Sequence, residues 1–200
     1  MKKLLIFIAA VALFACSQQP DGFKINVQIE GAEGNILLEK RGVTEWILVD
    51  SAEIVDGTAV LVGETDYPHD YYLSFQGEQN KALLFVENNE MTVKGNVDAM
   101  QDLEITGSET HNQFQEINKT INATGEEYME LYQQARQAIS GGDTARAQQL
   151  MDKVNEMVQT TITMQKNFVE ENPGSWVTPY FLEHIQNRIE VEELDKLVSA

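Results

Sequence analysis

One cysteine, Cys16, is all that the 200-residue chain contains. A lone thiol excludes an internal disulfide and a C-x-x-C redox pair, and its place near the N-terminus leaves the body of the chain without a thiol nucleophile. Cations are scarce: 14 Lys and Arg stand against 32 Asp and Glu, for a formal net charge of −18 at pH 7. Such a surface repels phosphates, so nucleic acid is not an expected partner. The three histidines, His69, His111 and His184, include no i, i+4 pair of the helical zinc kind. There is no Gly-x-Ser-x-Gly elbow, no phosphate-binding glycine loop, no internal repeat and no low-complexity segment. No apolar run reaches membrane-spanning length. The run over 4–14 holds eleven residues, about 16 Å as a helix against a hydrocarbon core of ~30 Å. No catalytic residue, metal or cofactor is expected of this chain.

That short run has another use. Met1, Lys2 and Lys3 make a basic start, the apolar stretch follows, and small Ala15 precedes Cys16. This is the grammar of a secretory signal. The ending Leu13-Phe14-Ala15-Cys16 resembles the lipobox of bacterial lipoproteins, with Leu at −3, a small residue at −1 and a thiol acylated after export. Phe14 is an uncommon residue at its position in that motif. Cys16 is therefore the candidate lipidation site, with 1–15 as signal peptide and 16–22 as anchor and tether. Loss of Lys2 and Lys3 leaves 12 basic residues against 32 acidic, a charge of about −20. The lipobox resemblance implies a cell-envelope protein held to a membrane by its N-terminal lipid. Ser17, rather than Asp, after the anchor favours the outer membrane, on its periplasmic or surface face.

From Phe23 the hydrophobic period is two. Phe23, Ile25, Val27 and Ile29 alternate with Lys24, Asn26, Gln28 and Glu30, as in a strand with one dry face. Further strands are expected over 35–40, 44–50, 58–63, 71–75, 82–87, 91–95 and 103–106. Asp56-Gly57 suits the positive φ angles of a tight hairpin turn. At Gly107-Ser108 the period changes to three and four. Phe114, Ile117, Ile121, Thr124, Tyr128, Leu131, Ala135 and Ala138 form one stripe of a long helix, with Ser108 as its cap. Gly141-Gly142 breaks it, and a second stripe runs from Ala147 through Leu150, Val154, Met157, Thr161 and Met164 to Phe168. Asn172-Pro173-Gly174 stops that helix, a third passes Trp176 and Phe181, and a fourth starts near Glu190. The expected fold is α+β: an antiparallel β-sandwich or open barrel of about eight strands over 23–107, then a helical hairpin and further helices over 108–200. The helical stripes hold small or polar members, so the hairpin should need another surface, either the β segment or a second copy of the chain. A homodimer or a protein partner is accordingly expected.

Several clusters hold residue types that can carry chemistry. Asp66, His69 and Asp70 could ligate a metal, but read better as solvated turn residues beside Pro68. Glu126-Glu127, Glu170-Glu171 and Glu192-Glu193 are adjacent pairs whose members diverge on a helix, unlike the facing carboxylates of a glycosidase. Trp46, Tyr67, Tyr71, Tyr72 and Phe75 make the β segment aromatic. Exposed, they would suit a sugar or peptide; alternate members filling the core is the preferred reading. The Met157 and Met164 stripe likewise reads as core. Asp50-Ser51-Ala52 and Asp143-Thr144-Ala145 look like the O-glycosylation motif of Bacteroides-type exported proteins, with Ser51 and Thr144 as acceptors.

The order of features carries a broader resemblance. A lipobox is followed by Phe-x-Ile-x-Val-x-Ile-x-Gly at 23–31, an Asp-Ser-Ala strand entering an Asp-Gly turn at 50–57, Leu-Phe-Val-Glu-Asn at 84–88, Gly-Ser at 107–108, and Asn-Pro-x-Ser at 172–175. This resembles the N-terminal part of Bacteroidetes lipoproteins that carry the domain of unknown function 4369 and a helical connector, usually before a thioredoxin-like domain of the AhpC/TSA or thiol-disulfide oxidoreductase kind. The Trp-Cys-x-x-Cys site of that domain is absent from these residues, so no catalytic position carries over. The sequence thus leaves two readings: a non-catalytic binding or positioning module, or the accessory N-terminal part of an oxidoreductase.

Overall fold

A computed structural model describes residues 21–199 of the chain. Eight strands come first: β1 (Phe23–Glu30), β2 (Asn35–Arg41), β3 (Trp46–Glu53), β4 (Thr58–Gly63), β5 (His69–Phe75), β6 (Lys81–Val86), β7 (Glu90–Asn96) and, after a 3₁₀ segment (Val97–Asp102), β8 (Glu104–Thr106). Five helices follow: α1 (Glu109–Ala123), α2 (Gly125–Ser140), α3 (Thr144–Glu171), α4 (Thr178–Ile185) and α5 (Val191–Val198). The expected α+β architecture of open sheets followed by helices is what forms.

The strands make two four-stranded sheets, ordered β4-β1-β7-β8 and β3-β2-β5-β6. The alternation in β1 does what period two requires: Phe23, Ile25, Val27 and Ile29 are all buried between the sheets. Ile36, Leu38, Tyr71, Leu73, Leu84 and Met91 meet them there. One pairing departs from the antiparallel expectation, since β1 runs parallel to β7, with Ile25 opposite Met91. The β3–β4 hairpin links the two sheets. Asp56 (φ 51°) and Gly57 (φ 72°) both take the left-handed conformation, as a two-residue primed turn requires, and Val55 bridges Thr58 across it. A register shift opposite Leu38 and Glu39 makes Val49 an extra residue in β3, which lets Val49 and Ala52 both lean on the core although their spacing is odd.

Strand β6 carries the helices. Ala82, Leu84 and Val86 face the sandwich, while Leu83 and Phe85 turn outward into a second core with Phe114 of α1, Ile162 and Val169 of α3, Phe181 and Ile185 of α4, and Leu197 of α5. The long helix expected over 108–140 divides at Thr124. Its hydroxyl donates to the Ile121 carbonyl at 2.7 Å and Gly125 follows, two local causes of a break. The α2–α3 hairpin then closes through Gly142 (φ 78°) and an Asp143 cap that accepts from Arg146 N at 3.0 Å. Its own core is small: Ala135, Ala138, Ala147 and Leu150. Met157 and Met164 are only partly buried; Val154, Ile162 and Val169 hold the inner face of α3.

Candidate functional site

The loop between β4 and β5 brings an aromatic wall to the junction of sheets and helices. Thr65 fixes this loop: its N–H donates to Asn88 Oδ1 at 3.0 Å, its carbonyl accepts from Asn88 Nδ2 at 2.8 Å, and its hydroxyl donates to the Tyr67 carbonyl at 2.8 Å. Tyr67 lies against Trp176, which comes from the turn between α3 and α4. Their rings are 5.4 Å apart and 13° from parallel, an offset stack of the favoured kind. The second loop is fixed too. Ser175 Oγ donates to Gln113 Oε1 at 2.6 Å and accepts from Val177 N at 3.0 Å. Tyr67 and Trp176 remain 49% and 51% exposed, a large amount of aromatic surface to leave in water on an ordered frame.

An open groove of about 910 Å³ runs from Trp176 along α1. Glu87, Glu109, Asn112, Glu116 and Glu171 border it, and among the described residues no Lys or Arg does. Glu87 is spoken for: its carboxylate accepts from Glu109 N and from Thr110 Oγ1, covering the bare Glu109 amide at the start of α1. The other side chains in that group make no hydrogen bond among the described residues.

The histidines have local partners. His69 Nδ1 lies 2.7 Å from Asp70 Oδ1, and that hydrogen bond holds the imidazole above its usual pKa despite burial. Burial opposes ionisation of Asp70, but the bond and charge of His69 outweigh it and keep the carboxyl below the usual range. Asp66 is exposed nearby, and among the described residues no three of His, Cys, Asp or Glu are placed to hold a metal ion. His184 Nδ1 sits 2.7 Å from the Tyr180 carbonyl. His111 is 2% exposed. Its Nδ1 accepts from Phe85 N at 3.2 Å, so the ring proton resides on Nε2, which has no partner among the described residues. Burial pushes this imidazole down to about 4.

The β-segment aromatics divide. Tyr71 and Phe75 fill the core as expected; Tyr67 and Trp46 do not. Trp46 packs edge-on to Tyr72 with the Lys81 ammonium 4.5 Å from its ring centre, and Arg41 ties this corner to α4 through Glu183 at 3.2 Å. Ser51, in β3, and Thr144, opening α3, are both exposed. Glu127, Glu170, Glu171 and Glu192 are exposed; Glu193 is paired with Lys166. Cys16 and its lipobox, Leu13, Phe14 and Ala15, lie outside the described residues. No spacing rule in the sequence connects Tyr67 to Trp176 across so much chain.

No curated protein and no solved structure matches the chain. One unit within it does have relatives: residues 23–114, which take in all eight strands and the start of α1, match the model of a family described as Domain of unknown function (DUF4369).

Proposed function

We propose that this protein is a membrane-anchored extracytoplasmic lipoprotein whose folded part binds or positions a partner and performs no chemistry itself. The anchor rests on Leu13-Phe14-Ala15-Cys16 behind a basic start and an apolar run too short to span a bilayer. Among the described residues, no helix is long and apolar enough to cross a membrane; on this reading the lipid on Cys16 is the attachment. The observation that carries the binding role is the half-exposed Tyr67–Trp176 stack on the wall of an open groove. Exposed aromatics on a rigid frame are surface that association, not folding, puts to use.

Replacement of the anchor is the direct test. Cys16→Ser should move the protein from the membrane fraction to the soluble extracytoplasmic fraction. A variant that stays with membranes as the parent does removes the lipoprotein reading.

The second reading, an accessory part of a thiol-disulfide oxidoreductase or peroxiredoxin-like protein, is supported by the order of motifs from 23–31 to 172–175. Under it, the helices are a connector and the thiols lie in another domain. Sequencing the gene beyond codon 200 separates the two. On either reading the purified mature chain, without redox thiols, should not reduce insulin disulfides above the uncatalysed rate; measurable turnover overturns both.

A further inference from the structure

We propose that the groove beside Trp176 is a subsite for a neutral oligosaccharide, with the indole face as its stacking platform. The proposal rests on the binding-module reading above and names its ligand class. The Tyr67 stack occupies one side of the indole. Trp176 borders the groove, whereas Tyr67 borders a separate, smaller cleft, so Tyr67 backs the platform and the groove side of Trp176 is left for a ligand. An aromatic face carries negative charge density and attracts weakly positive C–H groups such as those on the apolar face of a pyranose. The groove's volume of about 910 Å³ lies in the range of small-ligand sites.

The rest of the wall selects among ligands. Glu109, Glu116 and Glu171 offer carboxylate acceptors to sugar hydroxyls, and Asn112 offers both a donor and an acceptor. Because no Lys or Arg among the described residues borders the groove, a uronic or sulfated sugar meets only like charge from them. A peptide backbone finds no ladder, since none of the groove residues belongs to a strand. Both loops are already held by Asn88 and Gln113, so little ordering is left to oppose binding.

The test is calorimetric titration of the purified mature protein with cellohexaose, maltohexaose, xylohexaose, laminarihexaose and mannohexaose. Hexagalacturonate and a hexalysine peptide serve as controls. At least one neutral hexasaccharide should bind saturably, and hexagalacturonate should not. Trp176→Ala should weaken that binding about tenfold or more, a loss of the size expected for one aromatic contact. Trp176→Phe should retain part of it, and Trp46→Ala, at the other exposed indole, should leave it unchanged. Circular dichroism controls for folding. Absence of saturable binding by every neutral sugar up to about 10 mM, or binding of hexalysine alone, overturns the glycan assignment. Sugar binding that survives Trp176→Ala overturns the site yet leaves the binding-module reading standing. The Cys16→Ser fractionation is independent of all these outcomes.

Discussion

Phe85→Ala should cost about 3–5 kcal/mol of folding stability, the range for deleting a fully buried aromatic ring. Phe85 is 1% exposed. Its ring meets Phe114 of α1 at 5.2 Å and Tyr180 of α4 at 5.8 Å. No other fully buried side chain of the strands belongs to the helical core; its strand neighbour Leu83 is only partly buried there. The cavity would open where sheet and helices meet, leaving the partly buried Leu83 as the other apolar side chain of β6 in the helical core. In a Trp176→Phe background, where Trp46 of β3 is the remaining indole, the helical circular-dichroism signal should therefore melt at a lower urea concentration than the tryptophan fluorescence, whereas the same background with Phe85 intact melts in one step. A loss under about 1 kcal/mol, with coincident transitions, would mean that the helices do not depend on β6.

A second large effect follows from His111. In the folded chain its imidazole is pushed down to about 4 by burial, while in an unfolded chain it titrates near 6.5. Between those values the unfolded state takes up a proton that the folded state refuses. Stability therefore falls as pH drops from about 6.5 to about 4, by about 3 kcal/mol at the bottom, and this contribution then levels off. His69 acts on the other side. Its raised value gives stability that is complete below pH 6.5 and is lost as pH rises through the folded pKa. Carboxylates also titrate on the acid limb, so the informative quantity is a difference. His111→Asn keeps an acceptor in place of Nδ1 for Phe85 N but does not titrate. Denaturation midpoints of parent and variant between pH 4 and 7 should converge as pH falls, the parent losing its advantage. Parallel curves would show that His111 does not feel its burial.

Much of this fold is legible in the residues. Period two marks β1 because one of its faces is wet, and Asp56-Gly57 marks its turn because few other dipeptides accept two positive φ angles. The run Ala82-Leu83-Leu84-Phe85-Val86 also announces itself: a strand without alternation is dry on both sides, and these residues are buried or partly buried on both. What escapes is everything set by distant partners. The 3₁₀ segment at Val97–Asp102 has no period to detect. The parallel union of β1 and β7 leaves no local mark. Thr124 reads as one more member of a helical stripe until its hydroxyl turns to the backbone. The candidate site is the clearest case. Tyr67 is one aromatic among five in the β segment and Trp176 a helix-start residue; the stack forms where the β4–β5 loop, held by Asn88, meets the α3–α4 turn, held by Gln113.

The parallel pairing of β1 bears on the order in which this chain can fold. Strand β1 is internal to its sheet, and its partners are late: Ile25 pairs with Leu61 in β4 and with Met91 in β7, the second about 66 residues downstream. Contacts that distant are slow to close, since the loop entropy must be met before any pairing rewards it. A chain that emerges N-terminus first presents Phe23, Ile25, Val27 and Ile29 before anything exists to cover them. Until β7 has emerged, one edge of β1 is an unpaired template for a neighbouring chain. Strand β2, by contrast, can take β3 almost at once. The second sheet is therefore the natural nucleus, and the strand nearest the N-terminus is among the last to find its place.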